Sequence, residues 1–534
     1  MALAVEVRRT DVPPEPGSGN RILRLLLLGW LAQAALRFGL AWHRLGPVAH
    51  PDEAGYLVAA RLLAGGPGAD LSGHTFYQGG YPLLLAPVFW VTEDPVLAYR
   101  LVLLVNALVG ALVFPLAYLA LKRLGNASLP LAWAAALLPA VVIFGRHALA
   151  DAVLPVVVLA WLLALDRFFR GHGSAVPASL LVCFACSIHS RGSILLAVHA
   201  LALLLALRKT RRPALTGLAA TGLGYLAVDR FNAFLLAELY PSGALDLGGN
   251  LLDRLLSLDG QAWALSGAAG QIWYLITSTW GLAGAGLVVV VAAAVRRKPM
   301  ALVLCAVTFG IAYASMAALP DENRVGNFAY GRYLSCVALA YALVGLRALA
   351  DHKAVLGAVV TLTAAAQVVT LYAGPRLDDT VFIPFDFPEV IFLTRDSDSL
   401  ELGLATASAT ALLAVFALVR RPVVVLALVN LVALVSITAP FRDEQPLDAN
   451  LPEGGVLTQR HVPWHVRAAL YHHVSWTRIG WYDLGHPVPP GVCTVLVPWP
   501  SGTPIEQTWP GHPDPWTPAP SLAGVAAWTC PSPR

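Results

Sequence analysis

The chain has 534 residues, of which 57% are hydrophobic and only 13% are charged. A series of soluble domains is excluded, because each domain would need its own polar surface, and here apolar runs recur along most of the chain. The formal net charge is +4, and the basic residues are spread over many short connections, which excludes nucleic acid as a partner. The composition therefore predicts an integral membrane protein.

Thirteen apolar runs predict an all-α polytopic protein with about 13 transmembrane helices, although several runs are shorter than the ~20 residues that a full crossing prefers. A polar tail, residues 1–21, precedes a predicted transmembrane domain at 22–437. The predicted spans are Ile22–Trp42, Val96–Leu121, Leu129–Phe144, Ala152–Phe168, Pro177–Ile188, Ser193–Leu207, Leu215–Val228, Ile272–Val295, Met300–Leu319, Tyr333–Ala350, Val355–Tyr372, Leu400–Val419 and Pro422–Ile437.

The basic residues predict the orientation, since cytoplasmic connections carry an excess of Lys and Arg. Basic residues precede the first span, and then every second connection is basic. These groups are Arg8 with Arg9, Arg21 with Arg24, Lys122 with Arg123, Arg167 with Arg170, Arg208 to Arg212, Arg296 to Lys298, Arg347 with Lys353, and Arg420 with Arg421. The alternation predicts a cytoplasmic N-terminus and an extracytoplasmic C-terminus. It also predicts a shallow hairpin at residues 177–207, because both flanks are basic.

The first extracytoplasmic connection, residues 43–95, contains the stretch HPDEAGYL with two adjacent carboxylates, Asp52 and Glu53. In a structural interpretation, the two carboxylates mark the start of a helix, since Pro51 suits the first turn and acidic side chains complement the positive end of the helix dipole. Their functional interpretation is chemistry at the membrane surface. The later stretch HTFYQGGYPLLLAPVFWV, which includes Tyr81, is too short to cross the bilayer and predicts a second interfacial helix.

Further polar residues collect in the later outward connections. They are Arg146, His147 and Asp151 in FGRHALADAVL, Arg191 in IHSRG, Arg324 in PDENRVGNFAYGR, and Arg332 with Tyr333 in YGRYLS. An arginine can bind a phosphate through two parallel hydrogen bonds. An arginine at the outer end of a helix is also a common snorkelling anchor, so both interpretations stay open for each of them.

Residues 438–534 are rich in Pro, Trp and His and lack long apolar runs. They predict a small extracytoplasmic region, either a folded domain or a loosely folded tail. Cys493 and Cys530 are the only two cysteines of this region. Because the extracytoplasmic side permits oxidation, the two are predicted to form a disulfide.

An acidic pair in the first outward loop, interfacial helices, many spans and an external C-terminal region resemble the GT-C superfamily of membrane glycosyltransferases. This group contains the protein O-mannosyltransferases and the lipid A aminoarabinose transferases. HPDEAGYL is similar to their first-loop acidic motif, and Arg332 with Tyr333 is similar to their basic and aromatic pair near the lipid phosphate. The resemblance covers residues 22–437. FYQGGYP lacks the Lys-Pro-Pro stretch of the aminoarabinose transferases, so the donor sugar is left open.

The resemblance implies a GT-C-like fold and transfer of a sugar from a polyprenyl-phosphate donor to an extracytoplasmic glycan, lipid or protein. It implies that Asp52 is the general base, that Glu53 and Asp151 support it, and that Asp52 and Glu53 are candidate ligands of a divalent cation, Mg²⁺ or Mn²⁺. The residues implied to contact substrate are Tyr81, Arg146, His147, Arg191, Arg324, Arg332 and Tyr333.

Two other classes of function fit the same composition. A transporter or a lipid or glycan flippase also needs many spans, but it often has internal repeats and ionisable residues near the midplane. Here the charges gather in outward connections instead. A non-catalytic protein of envelope assembly is the third class. The preference for Arg over Lys and the abundance of Ala, Leu and Val suggest the plasma membrane of a GC-rich bacterium, such as an actinobacterium.

Overall fold

The computed structural model describes residues 18–48, 52–373, 380–393, 400–419, 421–438, 454–522 and 524–531. Most of the predicted tail 1–21 and Pro51 of the acidic stretch lie outside the described residues. The membrane part of the described chain is helical, as the apolar runs predict.

The helices in the first half of the described chain range from 4 to 24 residues in length. In order they are α1 (Ser18–Ala41), α2 (Asp52–Leu63), α3 (Gly80–Leu85), α4 (Val88–Val91), α5 (Pro95–Gly110), α6 (Val113–Arg123), α7 (Leu129–Ala135), α8 (Pro139–Val142), α9 (Leu154–Phe169), α10 (Val176–Ile188) and α11 (Arg191–Ala206). The last two pack against each other, in the hairpin predicted for residues 177–207.

The second half of the membrane part continues in the same way. Its helices are α12 (Arg211–Leu239), α13 (Leu247–Leu256), α14 (Leu258–Thr277), α15 (Leu282–Val295), α16 (Pro299–Ala318), α17 (Gly326–Ala329), α18 (Ser335–Ala348), α19 (His352–Ala373), α20 (Leu402–Leu418) and α21 (Pro422–Thr438). Residues 229–271, an outward connection in the predicted topology, are largely helical, since they contain the end of α12, all of α13 and most of α14.

Five helical segments of the described chain are long and apolar enough to cross a membrane, or seven if each of two bent helix pairs counts as one crossing. The five are Asn20–Ala41, Pro95–Arg123, Pro299–Ala318, Gly326–Ala348 and His352–Tyr372. Four other predicted spans coincide with the shorter apolar helices α10, α11, α20 and α21. The polytopic architecture is present, and the count of thirteen crossings stays a prediction.

One predicted span is not a single continuous helix. The apolar run Ile272–Val295 is divided between α14 and α15, and the two helices are bent by 119° at the break. Trp280 and Gly281 have positive φ values of 57° and 81°, which a continuous right-handed helix does not allow. Hydropathy alone does not reveal such a reversal, because the residues on both sides of it are apolar.

Close helix packing fixes α18 against α15. A Cβ atom at Gly286 of α15 would lie 2.0 Å from the Tyr341 carbonyl oxygen, and one at Gly345 of α18 would lie 1.9 Å from the Leu282 carbonyl oxygen. Only glycine permits this separation, as small residues do between membrane helices generally. Because α18 begins just after Arg332, the α15–α18 contact also positions that arginine.

Residues 454–531 form a folded α/β unit, which corrects the expectation of an all-α chain. Its elements are β1 (Gly455–Gln459), α22 (Trp464–His473), β2 (Ile479–Tyr482), β3 (Val492–Pro498), β4 (Thr517–Leu522) and β5 (Val525–Thr529). The strand order is β2-β1-β3-β5-β4, with β2 and β3 parallel to β1 and β5 antiparallel to β3 and β4. A disulfide joins Cys493 to Cys530, whose Cα atoms are 4.9 Å apart.

The α/β unit is docked against the first outward connection. The backbone N–H of Asp70 donates to the Ile479 carbonyl of β2 at 3.0 Å. Arg61, in the last turn of α2, donates to the carbonyl oxygens of Tyr471 and Val474 at 2.9 and 2.8 Å. These carbonyls lie at the end of α22, where a helix leaves its last acceptors without partners. One buried arginine therefore ties the helix that begins at Asp52 to the C-terminal unit.

We expect Arg61→Ala to loosen this docking, because it leaves two buried carbonyl oxygens without a donor, at a cost of about 1–3 kcal/mol each. The measurement is limited proteolysis of residues 454–531 together with thermal unfolding in detergent. Arg478→Ala is the control, since the exposed Arg478 donates only to the Glu238 carbonyl of the membrane part. Equal protease resistance of the two variants would contradict the role of Arg61.

Candidate active site

The helix α2 places Asp52 and Glu53 in its first turn, and all of its residues from Glu53 to Arg61 are buried. It is therefore a packed element and not the interfacial helix expected from the sequence. The reason is that α3 covers one side of it and α22 of the C-terminal unit covers another. By contrast, Leu83 in α3 and Trp90 in α4 are exposed, which suits the expected contact with lipid.

Glu53 is a structural acid at the centre of three chain segments. Its carboxylate accepts hydrogen bonds from the backbone N–H of Val48 at 2.8 Å, the backbone N–H of Ala148 at 2.6 Å and the Tyr99 hydroxyl. The side chain is fully buried. Because both oxygens are occupied by the protein, Glu53 fixes the first outward connection against the second and is not exposed to a substrate.

Asp52 points differently from its neighbour. One carboxylate oxygen accepts from the Tyr77 hydroxyl at 2.8 Å, and the other is paired with the guanidinium of Arg332. The Asp52 side chain is 25% exposed, so a ligand can reach it. Two adjacent carboxylates in the sequence thus have separate surroundings, one accessible and one enclosed.

Asp151 joins two arginines from distant parts of the chain. Its Oδ2 accepts from Nε of Arg332 at 2.7 Å, and its Oδ1 is paired with Arg191. The Asp151 side chain has no exposed surface. Burial alone would raise the pKa of this carboxyl, but the adjacent Arg191 and Arg332 outweigh it and hold the pKa below its usual range. Asp151 is therefore ionised and acts as a buried counter-ion.

Arg191 supports the segment that carries Arg332. Besides its pairing with Asp151, its Nη1 donates to the carbonyl oxygens of Arg332 and Tyr333 at 3.2 and 3.1 Å. Its guanidinium also lies 5.2 Å from the centre of the Tyr333 ring. The order of contacts is Asp52, Arg332, Asp151 and Arg191, which we call the ion-pair chain. It brings together four of the residues that the sequence singles out.

Two further predicted residues, Tyr81 and His147, belong to a separate buried network. The Tyr81 hydroxyl donates to Asn106 at 2.9 Å, and the Asn106 amide donates to the His147 carbonyl at 2.7 Å. The His147 ring nitrogen Nδ1 lies 3.5 Å from Glu53. Both side chains are buried, so these contacts support the loops around Glu53 and give neither side chain access to a substrate.

The remaining predicted arginines, Arg146 and Arg324, lie apart from the ion-pair chain. Arg146 is buried, with Nη2 3.5 Å from the His43 ring. Arg324 is half-buried, with Nε 3.1 Å from Glu322 and Nη1 3.6 Å from Asp386.

Comparison with known proteins supports the architecture. No family model and no curated protein sequence matches the chain. ArnT from Cupriavidus metallidurans bound to undecaprenyl phosphate has a TM-score of 0.52 and 13% identity, over 96% of this chain and 98% of ArnT. The apo state of the same ArnT gives a TM-score of 0.47 and 14% identity, over 87% and 86%. The chain has the ArnT fold.

Sequence reasoning missed a second group of polar residues close to the ion-pair chain of this ArnT-like fold. Asp386 and Glu389 lie in the connection between α19 and α20 and are almost fully buried. Burial raises the pKa of Asp386 to about 6, although the nearby Arg324 acts in the opposite direction. Burial also raises the pKa of Glu389 to about 7, although the hydrogen bond from the Tyr274 hydroxyl acts in the opposite direction. The sequence PFDFPEV shows only an acidic, Pro-rich loop, so nothing in it indicated burial.

Tyr274 links this second group to Arg332. Its hydroxyl donates to Glu389, and its ring lies so close to Gly331 that a Cβ there would be 2.0 Å from it. Gly331 directly precedes Arg332 in the chain. The Tyr274 ring therefore supports the backbone that presents Arg332, and glycine is required at the point of contact.

The divalent cation expected at Asp52 and Glu53 has no fitting ligand set among the described residues around these two carboxylates. Asp52 is bonded to Tyr77 and Arg332, and Glu53 is enclosed by backbone N–H groups and Tyr99. Among the residues that the structure describes, no group of three or more His, Cys, Asp or Glu side chains is arranged to hold a metal ion. The charge that neutralises Asp52 here is the guanidinium of Arg332.

Proposed function

We propose that the chain is a membrane glycosyltransferase that moves a sugar from a polyprenyl-phosphate donor to an extracytoplasmic acceptor glycan, lipid or protein. The observation that supports this most is the ion-pair chain, which combines one accessible carboxylate with a guanidinium in direct contact. The ArnT structure with the same fold was solved with undecaprenyl phosphate bound, which supports a prenyl phosphate as the ligand class.

Asp52 is the general base of the proposed reaction. The acceptor hydroxyl attacks the anomeric carbon, the bond between that carbon and the phosphate oxygen breaks, and the hydroxyl proton passes to a carboxylate. Among the acids of the ion-pair chain, Asp52 is 25% exposed and Asp151 has no exposed side-chain surface. Asp52 is therefore the acid that an acceptor can reach, and Asp151 is a positioning residue.

Arg332 is the proposed partner of the donor phosphate. The leaving phosphate gains negative charge, and a guanidinium can stabilise it through charge-assisted hydrogen bonds. Arg332 already bonds to two carboxylates, so a bound phosphate must compete with Asp52 for the same donors. Donor binding would then release Asp52 from its counter-ion and leave it free to accept the acceptor proton. Arg191 takes no direct part, since Asp151 and two backbone carbonyls occupy it.

The test is transfer from a labelled polyprenyl-phosphate sugar by the purified chain in vesicles, with free polyprenyl phosphate as the measured product. Arg332→Lys is expected to lower this product strongly, because lysine keeps the charge but loses the planar fork that bonds two groups at once. The matched control is Arg347→Lys, since Arg347 is at the opposite end of the same α18 and donates only a long bond to the Leu124 carbonyl.

A transporter or flippase is the rival proposal, and the same vesicles separate the two. A flippase would move the labelled lipid between leaflets without breaking the sugar–phosphate bond, whereas the transferase releases polyprenyl phosphate. Movement of intact donor with no release in the wild-type chain would overturn the proposed function. A non-catalytic envelope protein would give neither result.

A further inference from the structure

A polar cavity of about 570 Å³ lies outside the ion-pair chain, between α13, α14 and the connection that follows α16. Its walls include three carboxylates, two arginines and an indole. These side chains are Asp253, Arg254, Asp259, Trp263, Asp321 and Arg324. The proposed transfer reaction assigns no role to this cavity. Arg324, one of the arginines that the sequence singles out, is among its lining residues.

The two arginines of the cavity are already bonded to other groups of the protein. The Arg254 guanidinium donates to the carbonyl oxygens of Met316 and Ala317 at 3.0 and 3.3 Å, at the end of α16. Arg324 pairs with Glu322 and Asp386. The carboxylates of Asp253, Asp259 and Asp321, by contrast, lie on exposed residues. Among the residues that the structure describes, the charges at the opening are therefore mainly negative, which disfavours a phosphorylated ligand and suits one that donates hydroxyl hydrogen bonds.

The indole of Trp263 is fixed at the cavity wall. Its Nε1 donates to the Met316 carbonyl at 3.1 Å, and the Arg254 guanidinium lies 4.7 Å from the ring centre. A rigid aromatic surface beside carboxylates combines an apolar contact with hydrogen-bond acceptors. A sugar ring has both matching features, since its C–H face is apolar and its edge carries hydroxyl donors.

The helix α13 places the cavity at the membrane surface. None of its residues is buried. Leu252, Leu255 and Leu256 share one exposed face at helical spacing, while Arg254 points to the other side and bonds to the end of α16. A helix with one apolar exposed face and one polar face lies in the lipid–water boundary. The cavity behind α13 therefore opens where the headgroup of a membrane lipid would lie.

The cavity shares a wall with the candidate active site. The Arg324 guanidinium lies 5.4 Å from the centre of the Tyr330 ring, and the Tyr330 and Tyr333 rings are 4.8 Å apart. Tyr333 directly follows Arg332. A ligand in the cavity is thus separated from the ion-pair chain by one layer of aromatic side chains.

We propose that this cavity binds a part of the acceptor away from its reacting hydroxyl, and that this part is the uncharged, hydroxyl-rich headgroup of a membrane-anchored glycolipid. The proposal rests on the proposed function, because only a transferase has an acceptor. Its binding test does not depend on catalysis. Asp253, Asp259 and Asp321 would accept hydroxyl hydrogen bonds, Trp263 would contact the sugar face, and α13 would hold the lipid chains alongside.

The test is photo-crosslinking of the full chain in phosphatidylethanolamine and phosphatidylglycerol vesicles with a diazirine-bearing dodecyl maltoside. We expect labelling within residues 247–263 and 319–328 by mass spectrometry. The probe concentration for half-maximal labelling should rise about tenfold in Asp259→Asn and in Trp263→Phe. A tenfold loss of affinity is what the loss of one good contact typically causes. Asp483→Asn and Trp476→Phe, on exposed residues of the C-terminal unit, are the matched controls and should label normally.

A dodecyl phosphate probe with the same diazirine distinguishes headgroup recognition from simple partitioning of the alkyl chain. It should label the two segments weakly, and labelling equal to that by the maltoside would overturn the proposal. Unchanged labelling in both cavity variants would also overturn it. Polyprenyl phosphate release is measured separately: a wild-type chain that labels normally but releases none would count against the proposed function and support the cavity alone.

Discussion

Asp52→Asn should fold, insert and bind the donor, but should lose sugar transfer by about 10²- to 10⁴-fold, the usual contribution of a positioned general base. Asparagine keeps the shape of the side chain and can still accept a hydrogen bond from the Tyr77 hydroxyl, which now donates at 2.8 Å. It cannot take up the proton of the acceptor. The measurement is the rate of polyprenyl phosphate release at saturating donor and acceptor.

The alternative role of Asp52, a stabilising acid in the first turn of α2, predicts a different result. Loss of such a charge costs only about 0.3–1 kcal/mol of stability and leaves the rate nearly unchanged. Asp94→Asn is the matched control, because Asp94 caps α5 in the same connection through a 2.6 Å bond to the Leu97 N–H. Equal rates for the two variants would assign Asp52 to helix stability alone.

The sequence predicted the members of the ion-pair chain because their types and positions carry a local signal. Asp52, Asp151, Arg191 and Arg332 are charged residues at the outer ends of apolar runs, where an ion must either reach water or find a partner. Their pairing was not predicted, since the contacts join positions up to 280 residues apart. A single sequence contains no information on which distant charges meet.

The sequence could not separate Asp52 from Glu53, because neighbouring acids have the same local pattern. Their difference arises from tertiary contacts: the backbone N–H groups of Val48 and Ala148 enclose Glu53, and Arg332 pairs with Asp52. The C-terminal sheet was missed for another reason. Its strands are four to seven residues long, and two of them, β3 and β4, contain proline, so no strand period is long enough to recognise.

Asp151→Asn is expected to destabilise the fold by about 3–5 kcal/mol, since it leaves the buried Arg191 without its counter-ion and Arg332 with Asp52 as its remaining carboxylate partner. Asparagine has nearly the same volume, so the loss reflects charge and not packing. The measurement is the free energy of unfolding in detergent. Asp166→Asn provides a close control: Asp166, in the last turn of α9, also pairs with two arginines, Arg123 and Arg170. Its side chain is 18% exposed, and exposed pairs contribute only about 0–1 kcal/mol.

The pH dependence of stability gives a second readout for the same residue. The pKa of Asp151 is lower in the folded chain than in the unfolded chain, so its contribution is fully present above the unfolded value of about 3.9 and declines as the pH falls towards the folded value. The wild-type chain should therefore lose stability below about pH 4 more steeply than Asp151→Asn, which has no proton to take up at this position. Parallel curves for the two proteins, or a loss of stability in Asp166→Asn as large as in Asp151→Asn, would show that Asp151 is not the ionised centre of the ion-pair chain.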